Sequence, residues 1–255
     1  MSEFIILGYP VSPFLRSVAM VLEEKGVPYQ VRDFGPGGIG CEAHRQVHPF
    51  ARIPAIDDGG YRLYETQAIL CYIDAKFPDP PLQPVRPEAI GRMNQIIGIN
   101  DCYLFPQVAR TIVGERIMRP AFMGTTPDEA AIAGAVPAAE HCLNELDRLL
   151  DDQPFLAGSQ LSLADLLLAP QIDTARRDAR GQRHPERDGV ASLARPDERP
   201  RQHEGDHAAG GAAASGHAAI AIDRARITPA SIFRVKFSGC RRPSVAAPVA
   251  GVCGT

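Results

Sequence analysis

Hydroxyls and carboxylates, rather than thiols, stand where this sequence is equipped for chemistry. Ser12 lies in "GYPVSPFLRSV", at a small polar turn between an apolar run and an amphipathic stretch. A hydroxyl at a helix start can cap the helix by accepting from its amides. It can also donate to an anion, in a region where the unpaired amides and the helix dipole favour negative charge. Tyr9, just upstream, offers a second hydroxyl. The six cysteines are widely scattered, with no CxxC pair and no metal-ligand spacing. They read as free thiols, Cys71 and Cys102 packed within helices and Cys41 in a loop as the most exposed. His44, His48 and His141 share no spacing that suggests a metal and read as surface or cap residues. "GPGGIG" lacks the lysine and hydroxyl of a P-loop and follows no helix-feeding strand, which argues against nucleotide binding.

The elements that must hold these residues follow from periodicity. Phe4 to Leu7 is an apolar run ended by Gly8 and Pro10, long enough for a buried strand and too short for a helix. Leu15, Val18, Ala19 and Leu22 keep helical spacing, and Gly26 stands where a C-terminal cap belongs. "VPYQVRDF" alternates as a second strand, predicted parallel to the first. In "RIPAIDDGGYRLYE", Asp57 to Gly60 suit a tight hairpin turn between two further strands. A helix is predicted from Thr66 to Phe77, with Ile69, Leu70, Ile73 and Phe77 on one stripe. The order βαβ, loop or short helix, ββα is the thioredoxin-like arrangement.

Five prolines between Pro78 and Pro87 mark a linker. Beyond it the signals are helical. Ile90, Met93, Ile97 and Leu104 share a face, as do Ile132, Val136, Ala139, Leu143, Leu146 and Leu150. Thr126, Pro127 and Glu129 read as a cap, a first-turn proline and a capping-box acid, with a kink expected at Pro137. In "LSLADLLLAPQI", Ser162 is placed to cap the Asp165 amide while the Asp165 carboxylate reaches back to the Ser162 amide, with Leu161 and Leu166 as the accompanying staple. The organisation read from these signals is α/β plus all-α: a thioredoxin-like domain over 1–78, a linker over 79–88, an incomplete helical domain over 89–175 and an atypical tail over 176–255. A net charge of −3 gives no reason to expect a nucleic-acid partner. No apolar run is long enough to cross a bilayer, and a cytoplasmic protein is expected.

In order along the chain, "VSPFLRSV", "HPFARIPAI", "LYETQAILCYID", the proline-rich linker and "LSLADLLLAP" resemble the cytosolic glutathione S-transferases, from about Phe4 to Asp173. The likeness is to the serine-type, bacterial members. It implies a thioredoxin-like domain that binds glutathione as co-substrate, a helical domain that completes a pocket for a small apolar electrophile, a role in detoxification and a homodimer. No metal is implied. By the same resemblance Ser12 donates to the glutathione sulfur and stabilises its thiolate, with Tyr9 the rival. Pro54 matches the family's cis-proline, beside which the Ile53 backbone pairs with the cysteinyl part of the tripeptide. Glu65 and Thr66 match the acidic-hydroxyl pair that holds the γ-glutamyl end; most relatives carry serine at the second place. Arg52 either pairs with the glycyl carboxylate or is a solvated surface charge. Arg16 supports the site from its helix without touching substrate, or makes a surface ion pair. Asp101 is read as a solvated helical carboxylate. The absence of a cysteine at the Ser12 position argues against the thiol-transferase branch.

After Asp173 the text changes character. From Thr174 to Ala219 it has no aromatic residue, and Val190 and Leu193 are its only large aliphatic ones. Such a segment cannot bury enough apolar surface to offset its ordering entropy, so disorder is predicted over 176–219. Its composition is that of GC-rich DNA read out of frame, and a frameshift near codon 173 is expected. His184, His203, His207 and His217 are irregularly spaced and read as solvated. "ASIFRVKF", over 230–237, alternates as an isolated strand.

Two functions from different classes follow. One is glutathione transfer to small apolar electrophiles, or a related glutathione-dependent isomerisation or dehalogenation. The other is a catalytically weak glutathione-binding or protein-interaction member of the same fold, which the altered tail favours.

Overall fold

The computed structural model describes residues 3–34 and 38–179. Four short strands form one mixed sheet: β1 (Phe4–Leu7), β2 (Tyr29–Arg32), β3 (Ala55–Asp58) and β4 (Tyr61–Tyr64), in the spatial order β2-β1-β3-β4. β1 runs parallel to β2, with Phe4 opposite Tyr29, and antiparallel to β3, with Ile6 opposite Ile56. The parallel pair needs a crossover, which is α1 (Pro13–Glu24). Gly26 closes that helix at φ +66°, a left-handed conformation that glycine adopts without steric cost. β3 and β4 pair antiparallel through Gly59 and Gly60, and the Gly60 N–H donates to Asp57 Oδ1 at 2.8 Å. The hairpin turn is therefore tighter than Asp57–Gly60, because both aspartates belong to β3.

α2 (Glu42–Val47) is one short turn-and-a-half, and α3 (Thr66–Lys76) follows the hairpin. α1 packs against α3 and, across the domain boundary, against α7 (Leu163–Ala179). Leu15, Val18, Val21 and Leu22 of α1, Ile69, Leu70 and Ile73 of α3, and Ile6 and Ile56 of the sheet are fully buried in that core. The turn after Asp79 is held by the carboxylate of Asp74. It takes the Lys25 ammonium, the Leu82 N–H and the Gln83 amide, so α1, α3 and the linker meet at one acceptor.

The helical part begins with α4 (Pro87–Ile99). The rod then continues in π geometry over Asn100–Leu104 and Pro106–Met118, and returns to α geometry in α5 (Arg119–Met123). Met93, Ile97 and Leu104 of the expected face are buried, whereas Ile90 is 38% exposed. It lies in the first turn of α4. α6 (Glu129–Leu150) runs as one helix through Pro137 and buries all six residues of its expected stripe. Its cap is Asp128, not Thr126: Asp128 Oδ1 accepts from the amides of Ala130 and Ala131 at 3.0 Å each. A carboxylate two residues closer reaches the first-turn amides that a Thr126 hydroxyl cannot.

α7 starts at the expected place with a modified cap. Asp165 Oδ2 accepts the Ser162 N–H at 2.9 Å, as the motif requires. The Ser162 hydroxyl donates to that same oxygen at 2.6 Å instead of accepting from the Asp165 amide, and the Leu156 N–H donates to Oδ1 at 2.9 Å. Asp165 thereby ties the turn before α7 to its first residues. α7 extends through Ala179, so the predicted disorder does not begin at 176. The remaining expectations for the tail, including the four histidines, the strand over 230–237 and the frameshift, fall outside the described residues. Among the described residues no helix is long and apolar enough to cross a membrane.

Candidate active site

A cleft of about 1420 Å³ lies between the sheet domain and the helical rod. Ligand pockets run to about 300–1,000 Å³, so this one has room for two small molecules side by side. Its sheet-domain wall carries Ser12, Arg52, Ile53, Pro54, Glu65 and Thr66; every site residue expected from the sequence is on it, and so is Tyr9. The facing wall is the π segment, with Phe105, Val113, Ile117 and Met118, joined by Phe14 from α1. The sheet-domain wall carries most of the polar groups, and the facing wall is largely apolar, with Asp101, Arg110 and Thr174 its polar members.

Ser12 is the N-cap of α1 and only 9% exposed. Its Oγ accepts from the Leu15 N–H at 3.3 Å, and Pro13 takes the first helical position, where a missing N–H costs nothing. The capping role read as the bland alternative is therefore real. It uses the oxygen as acceptor and leaves the hydroxyl proton to be donated elsewhere. Tyr9, at the end of β1, packs its ring edge-on against Phe34. Burial raises the Tyr9 pKa above that of an ordinary phenol, and the nearby Asp33 and Cys41 push the same way.

The loop before β3 is placed by Gly8 and His44. A Cβ on Gly8 would lie 3.1 Å from Leu15 Cδ1 and 3.2 Å from Ile53 Cβ, so only glycine lets this loop approach the end of β1. The Ile53–Pro54 bond is cis, as expected. His44 and His48 depart from the surface reading: they are 0% and 1% exposed. The Gly40 N–H donates to His44 Nδ1 at 2.9 Å, which assigns the ring proton to Nε2, and Nε2 donates to the Arg52 carbonyl at 2.8 Å. His44 also stacks on Phe34, with centroids 3.9 Å apart. His48 packs its ring on Tyr64 and borders the cleft; burial lowers its pKa, with Glu65 acting against that. No motif in the sequence marked these histidines, because what surrounds them, the Phe34 ring and Arg52 carbonyl at His44 and the Tyr64 ring at His48, is brought in by the fold. His141 is exposed, as expected.

Glu65 occupies the cap position of α3 at φ +72°, a conformation unusual for a residue with a side chain, and Thr66 is the first helical residue. Thr66 is thus not itself the N-cap. Arg52 and Glu65 are exposed at the cleft surface. Asp101 is exposed too but borders the cleft. Partial loss of hydration inside the cleft raises its pKa, the Asn100 amide opposes this, and the negative charge of Glu65 adds to it. Arg16 does not line the cleft but reaches into α7, where it pairs with Asp173 at 3.1 Å and donates to the Pro170 carbonyl and to Thr174 Oγ1, whose residue borders the cleft. It holds α1 against α7.

The thiols depart from expectation. Cys102 is exposed, not packed, because π geometry turns it to the surface. Cys41 is half-buried, its Sγ accepting from the His44 N–H at 3.4 Å. Cys71 is half-buried and borders the cleft, with burial raising its pKa. Among the described residues no cluster of side chains could hold a metal ion.

Comparison with known proteins agrees with this architecture. Residues 6–81 match the family model of the glutathione S-transferase N-terminal domain, and residues 129–201 that of the C-terminal domain. The second match passes Asp173, where the motif resemblance stops. Glutathione S-transferase hmp2 of Hypomyces subiculosus is 30% identical over 166 residues, covering 62% of this chain and 77% of that protein. Glutathione S-transferase 3 of Zea mays is 29% identical over 185 residues, covering 69% and 81%. The apo form of human glutathione S-transferase T1-1 shares the fold with a TM-score of 0.63 at 22% identity, over 75% of this chain and 80% of that one. With both halves of the fold matched, a cleft between them, and a relative aligned over most of its own length, the chain belongs to the glutathione S-transferase family.

Proposed function

We propose that the protein transfers the glutathione thiolate to small apolar electrophiles, with Ser12 as the residue that stabilises the anion. The observation that carries this is the placement of a buried, proton-bearing hydroxyl at the N-terminus of α1, on the more polar wall of a cleft whose facing wall is largely apolar. In this reading Glu65 faces the γ-glutamyl ammonium, Thr66 offers its hydroxyl and amide to the γ-glutamyl carboxylate, the Ile53 backbone beside Pro54 pairs with the cysteinyl residue, and Arg52 meets the glycyl carboxylate. The electrophile lies on Phe14 and Phe105. The assembly is a homodimer, as is common in the family, and it works in the cytoplasm.

The chemistry needs a thiolate at a pH where a free thiol is mostly protonated. A hydrogen bond to a charged group contributes roughly 1.5–3 kcal/mol, which lowers a thiol pKa by about one to two units. Ser12→Ala is therefore expected to lower kcat for 1-chloro-2,4-dinitrobenzene by at least about tenfold and to move the apparent thiol pKa of the pH–rate profile upward. Glutathione affinity, read by calorimetric titration, stays close to wild type. A larger loss in Tyr9→Phe assigns the thiolate to Tyr9 instead. Saturable glutathione binding without turnover in the wild type makes the protein a glutathione-binding member of the fold, and no binding by a protein with a cooperative melt overturns the site.

A further inference from the structure

The arginines of the π segment are not alike. Arg116 pairs with Glu129 at 3.7 Å, and the adjoining Arg119 with Glu115 at 2.7 Å. Arg110 has no carboxylate partner among the described residues. Its guanidinium instead lies over the Phe105 ring, 5.7 Å from the centroid, and it borders the cleft. Phe105 in turn packs on Phe14 across the domain boundary, with centroids 4.6 Å apart. Arg52 and Arg110 are the two lysine or arginine residues lining the cleft, and they stand on opposite walls.

Helix geometry makes this arrangement. In an α-helix residues five apart point about 140° away from each other, at 3.6 residues per turn. A π-helix bonds i to i+5, so its wider turn brings residues five apart toward one face. Phe105 and Arg110 are such a pair, and the segment is π over Pro106–Met118. The unusual backbone thus places an unpaired cation beside the aromatic floor of the apolar half-cleft. The carboxylates around the cleft are elsewhere: Asp33 and Glu65 on the sheet domain, and Asp101 roughly two turns earlier in the rod.

We infer that Arg110 is an anion subsite for the second substrate, which selects electrophiles with an aromatic or flat apolar body and a carboxylate-like substituent. This rests on the glutathione-transfer reading for the chemistry, though not for binding. The body lies on Phe105 and Phe14, and the anion receives charge-assisted hydrogen bonds from the guanidinium fork. For a chloronitroarene the step balances simply. The thiol proton has gone to solvent, the sulfur forms its bond to the ring carbon, and chloride leaves with the electron pair of the carbon–chlorine bond. Arg110 touches the substrate away from the reacting carbon and sets specificity.

The test compares 4-chloro-3,5-dinitrobenzoate with its methyl ester in the full chain, wild type against Arg110→Gln. A fork-to-carboxylate contact is worth at least about tenfold in binding. The acid-to-ester ratio of kcat/KM is therefore expected to fall by at least about tenfold in Arg110→Gln, with Arg110→Lys recovering part of it. Binding of unreactive 3,5-dinitrobenzoate and methyl 3,5-dinitrobenzoate, measured by calorimetry, should show the same ratio change. Equal losses for acid and ester would give Arg110 a packing role only and overturn the inference, as would a wild type that binds the ester as tightly as the acid. If the acid preference appears in binding while neither chloroarene is turned over, the anion subsite stands and the transfer reading falls.

Discussion

Ser12 and Glu65 face the same cleft and carry different physical loads. Ser12 satisfies a helix amide and keeps a proton to give, so its environment is stabilising and its proposed chemistry is added at no structural cost. Glu65 sits at φ +72° with no hydrogen bond from its side chain to the helix it begins. A non-glycine residue held in such a conformation costs on the order of 1–3 kcal/mol, and these outliers gather at functional sites. Glu65→Gly is thus expected to raise stability by about 1 kcal/mol, the relief being partly offset by the entropy glycine loses on folding. The same variant should lose most glutathione affinity, because the carboxylate that meets the γ-glutamyl ammonium is gone. Urea denaturation and calorimetric titration on one preparation check both halves; a destabilised variant would show that the Glu65 conformation is not strained.

Among the elements, α7 depends most on one side chain. Asp165 is 4% exposed and accepts from the amides of Leu156 and Ser162 and from the Ser162 hydroxyl. Removing the carboxylate leaves two buried amides without partners, each costing on the order of 1–3 kcal/mol. Asp165→Ala should therefore lower the midpoint of chemical unfolding by far more than Asp165→Asn, which retains one acceptor oxygen. Comparable losses in the two variants would mean that negative charge, rather than hydrogen-bond acceptance, is what the turn needs. Because α7 packs on α1, this loss reaches the helix that bears Ser12.

On the scale of the molecule, the two domains are joined by packing and by polar ties, two of which are charged. Arg16 binds α1 to α7, and the buried Lys25–Asp74 pair binds α1 and α3 to the linker. Burial alone would raise the Asp74 pKa, but the hydrogen bonds from Lys25, Gln83 and the Leu82 amide outweigh it and hold the carboxyl below its usual range. A carboxyl depressed on folding contributes stability that is complete above its unfolded pKa of about 4 and is lost as pH falls through the lower folded value. The stability gap between wild type and Asp74→Asn should accordingly be constant above about pH 5 and close as the solution is acidified below about pH 4. A gap that persists undiminished to low pH would show that the pair is held by packing and not by charge.

Much of this was legible in one dimension, where the signal is local. The order of elements along the chain, the α1 and α7 starts and the linker follow from spacing, caps and turn chemistry within a few residues of each other, whereas the residues of the sheet-domain wall came from the likeness of their motifs to the glutathione S-transferases. Ser12 was readable from its own turn and helix start, and Pro54, Glu65 and Thr66 from motifs shared with the family. Of the reading of His44 and His48 as surface or cap residues, the cap holds for His48, which ends α2, and the surface part fails for both, because their burial depends on Phe34, Tyr64 and the Arg52 backbone, which only chain folding brings near. Cys102 and Arg110 escaped for a related reason: an α-helical period was assumed where the backbone is π over Asn100–Leu104 and Pro106–Met118, which changes where such side chains face. The sequence by itself determined the type and order of the elements, since propensity and hydrophobic period act over neighbours, and its motif likeness to the family pointed to the residues of the sheet-domain wall. Only the tertiary structure decided which groups are buried and that a lone guanidinium faces the apolar half of the cleft, since burial and electrostatic pairing depend on contacts between distant segments.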